Sequence, residues 1–400
     1  MAENVKISPE QWAPVPAEKL EKESISRPSL TYWQDAWRRL KKNYLSMLGL
    51  VAIILLTGLA IFGPMLSQFE YSDQDLTMSN LPSKLEYYQV SEDTYIYLHK
   101  EYRLYSVTKD GVVIEKLKET KNDMIKKYRA YEIDGKEVVV DYSFAAKAIK
   151  SGDPNAPKFE MRVDGEAIQS AGKVHNKTYY FGTDHLGRDL YVRVLYGARI
   201  SLLVGLIATV IQFFIGVTYG GISGYTGGKV DNFMMRIVDI IATIPLLLYV
   251  ILLMVVMGAG LKTIIIALGS VYWVTMARIV RGQVLSIKEQ EYVLAARTVG
   301  ASTWRIMARH LIPNAMGSII VALAMNIPSA IFTESFLSFI GLGVSAPMAS
   351  WGTLASDALG GLRTYAYQLF YPSIFIAVTV LAFNFLGDGL RDALDPRLRK

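Results

Sequence analysis

The feature that most limits what this chain can fold into is a series of long stretches almost devoid of charge. They run from Met47 to Leu66, Ser201 to Ser223, Ile237 to Ala259, Thr263 to Met276, Ala315 to Phe339 and Tyr371 to Leu386. A helix rises about 1.5 Å per residue, so roughly 20 residues cross a hydrocarbon core about 30 Å thick. Lipid offers a backbone amide no partner, so each stretch is expected to be helical. About six spans follow, the fourth and sixth reaching into polar flanks, with kinks expected at Pro245 and Pro328. The 52% hydrophobic content places the chain in the membrane class. The first run, approached by the polar segment 1–46, lacks the n-region and cleavage site of a signal peptide and is expected to stay as an anchor.

Orientation follows from where lysine and arginine fall in short loops. Arg38, Arg39, Lys41 and Lys42 precede the first span, and Lys229 and Arg236 lie between the second and third. Arg278, Arg281, Lys288, Arg297, Arg305 and Arg309 lie between the fourth and fifth, and Arg391, Arg397, Arg399 and Lys400 follow the sixth. The opposite short loops hold only Lys262 and Arg363. Both termini and the loop at 277–313 are therefore expected in the cytoplasm of a multi-pass cell-membrane protein, with 67–198 outside. A net charge of +6 concentrated in these loops reports topology, so nucleic acid is not an expected partner, whereas membrane lipid is. With no cysteine, disulfides, thiolate metal sites and a cysteine nucleophile are excluded.

The external segment 67–198 is charged and tyrosine-rich, and reads as a separate α+β insertion domain. Asp110-Gly111, Asp134-Gly135 and Asp164-Gly165 sit between strand-like runs, a strong hairpin signal. Glu115 to Arg129 and Ser143 to Lys150 read as amphipathic helices, the second closed by Gly152. The tyrosines suit either a partner surface or simply strands. His99, His175 and His185 are too scattered to imply a metal.

The loop from Glu291 to Asn314 reads as two short helices meeting at a corner. Ile287 to Val299 has good helix formers, Gly300 can take the left-handed conformation that ends a helix, and Ser302 can cap the next. Ala295 and Ala296 clear one face for close approach by another protein, and the flank at Arg297 and Arg305 can meet acidic groups. This loop resembles the EAA motif of binding-protein-dependent ABC importer permeases: Glu-Ala-Ala, three residues, Gly, nine residues, Ile, any residue, Leu-Pro. Ala295, Ala296, Gly300 and Pro313 match at the right spacing, while Leu294, His310 and Ile312 depart from it. Phe181 to Asp189 with Tyr196 to Leu202, Glu334 to Gly343, and Leu386 to Leu398 resemble blocks of the oligopeptide and dipeptide branch, specifically its C-type permease. The likeness covers about 30–70 and 180–400.

The resemblance implies an all-α polytopic fold of the type I importer permeases: an anchor at 47–66, a transmembrane domain at 199–390 with a coupling loop at 285–313, and a tail at 391–400. It implies a permease subunit of an ATP-driven oligopeptide importer, working with a second homologous permease, two ATPase subunits and an extracytoplasmic peptide-binding protein. ATP and magnesium would sit on the ATPases, with no cofactor or metal on this chain, and a related importer of nickel or another small solute is the alternative substrate reading. Consistent with a non-catalytic subunit, Gly227-Gly228-Lys229 is followed by Val230 and makes no phosphate loop. Glu291, Ala295, Ala296, Arg297, Gly300, Ala301, Ser302 and Pro313 would form the ATPase-coupling surface. Glu334, Asn326 and Asp239 are candidates for the translocation pathway, because ionisable and amide groups at membrane depth face water or a partner. A proton-coupled carrier would need inverted repeats and an intramembrane hydrolase a catalytic cluster, and neither pattern is found.

Overall fold

A computed structural model of the protein describes residues 31–146, 150 and 157–394. Its helices in chain order are α1 (Tyr32–Lys42), α2 (Tyr44–Phe62), α3 (Leu190–Thr226), α4 (Gly228–Ala242), α5 (Leu246–Met257), α6 (Leu261–Ile287), α7 (Glu291–Thr298), α8 (Thr303–Leu342), α9 (Trp351–Ala358) and α10 (Tyr367–Leu394). Five of these, α2 with its extension to Leu66, α3, α6, α8 and α10, are long and apolar enough to span a membrane. The third expected span, 237–259, is not one helix. It breaks between α4 and α5, which meet at 81° and count as a sixth span only if taken together. Pro245 has no amide hydrogen and pushes Ile244 away from helical geometry, and here the chain turns and restarts with Pro245 as the cap of α5. Pro328, by contrast, is accommodated inside α8.

Between apolar helices in lipid there is little hydrophobic drive, and close packing of small residues takes its place. On α3, Gly216, Gly220 and Gly224 recur every fourth residue along the face that meets α6. A methyl group on Gly216 would lie 2.5 Å from the Met276 Cβ, one on Gly224 would lie 2.8 Å from the Arg281 carbonyl, and one on Gly220 would collide with the Ala277 carbonyl. The backbones thus run in contact over two turns. Gly49 plays the same part for α2 against α10, where an added Cβ would sit 2.5 Å from the Ala382 carbonyl oxygen. Before the anchor, α1 starts from a Thr31 capping box and exposes Trp33 and Trp37. That amphipathic helix suits the membrane interface.

The insertion is built from two antiparallel five-stranded sheets. The first has the order β10 (Gly172–His175), β1 (Lys84–Gln89), β2 (Tyr95–Leu98), β3 (Leu104–Val107) and β4 (Val113–Lys116). The second runs β5 (Lys121–Asp123), β6 (Tyr128–Ile133), β7 (Lys136–Asp141), β8 (Glu160–Val163) and β9 (Glu166–Ala167). All three Asp-Gly pairs fall in hairpin turns. At Asp134-Gly135 and Asp164-Gly165 both residues have positive φ, as a two-residue type I′ turn requires. The helix expected over Glu115–Arg129 is instead the end of β4, β5 and the start of β6. Asp123 accepts the amides of Ile125 and Lys126 at 3.0 and 2.8 Å, and the turn this makes brings β5 onto β6. Of the helix expected at 143–150, residues 143 and 144 form a turn and 145, 146 and 150 are helical, while 147–149 and the stop at Gly152 lie outside the described residues.

Alternation with period two buries the first sheet on both faces. Ile96 and Leu104 face the second sheet together with Tyr131, Val138, Val140 and Met161. Tyr97 and Tyr105 face the other way, onto Met78, Leu81 and Tyr179 in the segments that join the domain to the membrane helices. Tyr88, Tyr97, Tyr105, Tyr131 and Tyr179 are therefore core residues rather than a partner surface. The domain is seated on the start of α10. The Gln368 amide donates to Asn80 Oδ1 at 2.9 Å and to the Thr183 carbonyl at 3.0 Å, Tyr367 donates to the same carbonyl at 2.7 Å, and His99 stacks on Tyr365.

Two outcomes are expected. Gly220→Val should lower the unfolding temperature of the detergent-solubilised protein, at a cost of about 1–3 kcal/mol from overpacking. Gly282→Ala, with nothing within 4 Å, should not. Burial, partly offset by the Asn80 carbonyl, holds the His99 imidazole below the ordinary 6.5. The unfolded chain then binds the extra proton first, so stability is full above about pH 6.5 and is lost as pH falls through the depressed folded value. Amide protection factors in β2 and β3, referred to the intrinsic exchange rate at each pH, should therefore fall on acidification, and His99→Gln should flatten that response.

Candidate functional site

The end of the bundle away from the insertion carries an elbow. Helix α6 stops at Ile287, three residues turn, and α7 begins at Glu291, whose carboxylate lies at the positive end of the new helix. The helix expected over Ile287–Val299 is thus shorter, because Lys288 turns away to donate to the Gly224 carbonyl at 3.1 Å. Gly300 has φ +83 and closes α7, its amide bonded to the Arg297 carbonyl at 2.9 Å and the Ala301 amide to the Ala296 carbonyl at 3.0 Å. Ser302 then accepts the Arg305 amide at 3.4 Å and opens α8. The first turns of α8 widen into a π-turn at Met307–Leu311, just before Pro313.

The elbow has an inner and an outer face. Val293, Ile306 and Leu311 are buried together with Val280, Val284, Ala315 and Ile319 of α6 and α8, with Ala296 and Ala301 packed on the cluster. Outside, Glu291, Ala295, Gly300, Ser302 and Pro313 are exposed. Between them stand Tyr292, Leu294, Val299 and Trp304, with Val299 89% and Trp304 68% exposed. Apolar side chains gathered on a protruding corner mark a contact surface. Arg297 does not project freely, since its guanidinium lies 5.0 Å above the Tyr225 ring at the end of α3.

A further cluster stiffens this end. Arg281 of α6 holds Asp231 of α4 with two bonds of 2.6 Å, and Ser223 of α3 donates to the same carboxylate at 2.5 Å. Arg281 is therefore both a topological charge and a clasp over three helices, and nothing in its local sequence signals the second role. The clasp links α3, α4 and α6, and the elbow packs on the cluster shared by α6 and α8.

The other expected residues are dispersed. Asn326 is half-buried on α8. Asp239 lies on α4 in a 2.8 Å ion pair with Arg278 of α6, both about half exposed. Glu334 is fully buried, its carboxylate accepting from Ser201 at 2.8 Å and Ser338 at 2.7 Å, which ties α8 to α3. Its neighbour Thr333 points elsewhere and accepts from Tyr272 at 2.7 Å. The described residues contain no group of three potential metal ligands.

The family model described as the N-terminal TM domain of oligopeptide transport permease C matches residues 31–82. That of the binding-protein-dependent transport system inner membrane component matches 216–400. The dipeptide transport system permease protein DppC of Bacillus subtilis (strain 168) is 43% identical over 98% of this chain and 94% of its own length. The oligopeptide transport system permease protein OppC of the same organism is 41% identical over 98% and 99%. Among solved structures, one titled as inward facing conformations of the MetNI methionine ABC transporter aligns with TM-score 0.43 and 21% identity over 51% of this chain and 96% of that one. The chain belongs to the OppC/DppC family of binding-protein-dependent transport permeases, non-catalytic membrane subunits that work with an ATPase and a binding protein.

Proposed function

We propose that the chain forms half of the translocation pathway of an importer of oligopeptides or dipeptides, paired with a second, similar permease. Two ATPases, binding ATP and magnesium, sit at the cytoplasmic end with both termini of this chain, and a peptide-binding protein delivers substrate at the insertion side. The observation that carries this reading is the elbow: exposed Tyr292, Leu294, Val299 and Trp304 outside, buried Val293 and Ile306 inside. An ATPase groove that grips the outer face moves the helices beneath as one body, which is how a shift in one subunit becomes a change of access in another.

The pathway belongs on the face shared by α6 and α8. There Tyr272, Thr333 and exposed Ser329 lie at membrane depth, with half-buried Asn326 on the same helix and the Asp239–Arg278 pair toward the elbow. Polar groups left open at that depth are costly against lipid, so they face water, substrate or the second permease. Glu334, sealed inside the subunit, shapes the outer end of α8.

Gly300→Val forces a β-branched residue into positive φ, a strain of about 1–3 kcal/mol, although no neighbour obstructs the new side chain. Uptake of labelled peptide should collapse while membrane insertion and the isolated ATPases' turnover are kept; unchanged uptake would count against coupling through this corner. The chain has no cysteine, so single cysteines report cleanly. Ser329→Cys should react with a membrane-impermeant maleimide in the assembled transporter and be protected by peptide, whereas Phe214→Cys on the outer surface of α3 should not react.

A further inference from the structure

The loop that returns the chain from the insertion into α3 takes no part in the elbow or the polar face, yet it holds charges where charge is costly. Arg188 and Arg193 are 4% and 2% exposed. Asp184 already accepts three bonds, its Oδ1 from the Leu186 and Arg188 amides at 2.9 and 3.0 Å and its Oδ2 from the Arg188 Nε at 2.7 Å. Arg193 is left over. Its guanidinium lies 3.5 Å from Asp184 and 3.6 Å from Asp357, within range of attraction, but Nε and Nη1 are buried without an acceptor. Unmade bonds on a buried guanidinium are expensive, and one that persists needs a reason. Both arginines line a cavity of about 320 Å³ that also presents Thr353 and Ser356. At its edge Asp357, 41% exposed, stands 3.6 Å from each arginine.

We infer that this cavity is a carboxylate site in which an incoming carboxylate replaces Asp357 between Arg188 and Arg193. With Asp357 in place, two guanidinium groups face two carboxylates and the charges cancel. Once Asp357 turns outward, one positive charge is uncompensated, and a planar carboxylate fits the fork that Arg193 offers. Asp357 is thus a built-in occupant, attracted from a distance and free to leave, since it is half in solvent. The exchange also breaks the ionic link between α9, which carries Asp357, and the start of α3, while the Trp351 indole keeps its 3.0 Å bond to the Val194 carbonyl. This assignment rests on the importer reading only for the source of the carboxylate, either the free C-terminus of a peptide or an acidic side chain of the binding protein.

The test compares wild type, Asp357→Asn and Arg193→Gln, each assembled with its partners in proteoliposomes. Docking of peptide-loaded binding protein is measured alongside uptake of trialanine and trialanine amide. Removing the competing carboxylate should strengthen the carboxylate-dependent step about tenfold, and Arg193→Gln should weaken it by a similar factor. Opposite signs are the signature, because a purely structural clamp is weakened by both changes. If the peptide supplies the group, the effect appears with trialanine and not with its amide; if the binding protein does, it appears in docking whichever peptide is loaded. Parallel losses, or no change in either variant, overturn the proposal, and the half-exposed position of Asp357 keeps its variant informative should Arg193→Gln fail to fold. Wild-type assemblies that import neither peptide refute the importer reading instead, while the docking arm still judges the site.

Discussion

Contact between the backbones of α3 and α6 governs the rest of the molecule. Gly216, Gly220 and Gly224 bring the two helices together without intervening side chains. In a bilayer, where apolar side chains gain little by leaving lipid for protein, such dispersion contacts and the absence of bulk supply most of what holds a pair in register. At one end α3 receives the insertion; at the other α6 turns into the elbow. The register of a single helix pair therefore sets where both working surfaces stand.

Each end is then braced by different chemistry. Toward the elbow, Asp231, Ser223 and Arg281 clasp three helices while Val293 and Ile306 root the corner in their shared core. Toward the insertion, the first sheet is buried on both faces, and the Gln368, Tyr367 and Thr183 bonds fasten it to the start of α10. A folded domain seated this way moves with the membrane helices rather than hanging from them. The feature that unites the two ends is economy of charge: buried ionic groups occur where helices must be held in one arrangement, and Arg193, although it has two carboxylates in range, keeps two nitrogens without an acceptor.

Much of this was legible beforehand because it rests on local chemistry. Asp134-Gly135 demands positive φ wherever it occurs, and Gly300 followed by Ser302 spells a stop and a cap without reference to the remaining chain. The misreadings share the opposite character. The run from Glu115 to Arg129 is rich in helix formers, but its residues are recruited into hairpins, β4 onto β3 and β5 onto β6, and pairing partners outweigh propensity. The span at 237–259 was apolar enough to read as one helix, yet whether a proline kinks a helix or ends it depends on what surrounds it. Pro328 is held inside α8 and Pro245 is not. The tyrosines of the insertion could not be apportioned between core and surface until the sheets were stacked.

Sequence alone determined that the chain lives in a membrane, where five of its spans lie, that a folded domain interrupts them, and that a glycine corner projects from one loop. These follow from the solvation of backbone and side chain, which each segment experiences by itself. Only the tertiary structure decided which residues look inward. Glu334 and Asn326 stand eight positions apart on one helix, yet one is sealed against α3 while the other is only half-buried. Burial and partnership are properties of the space between elements, and no single segment contains that information.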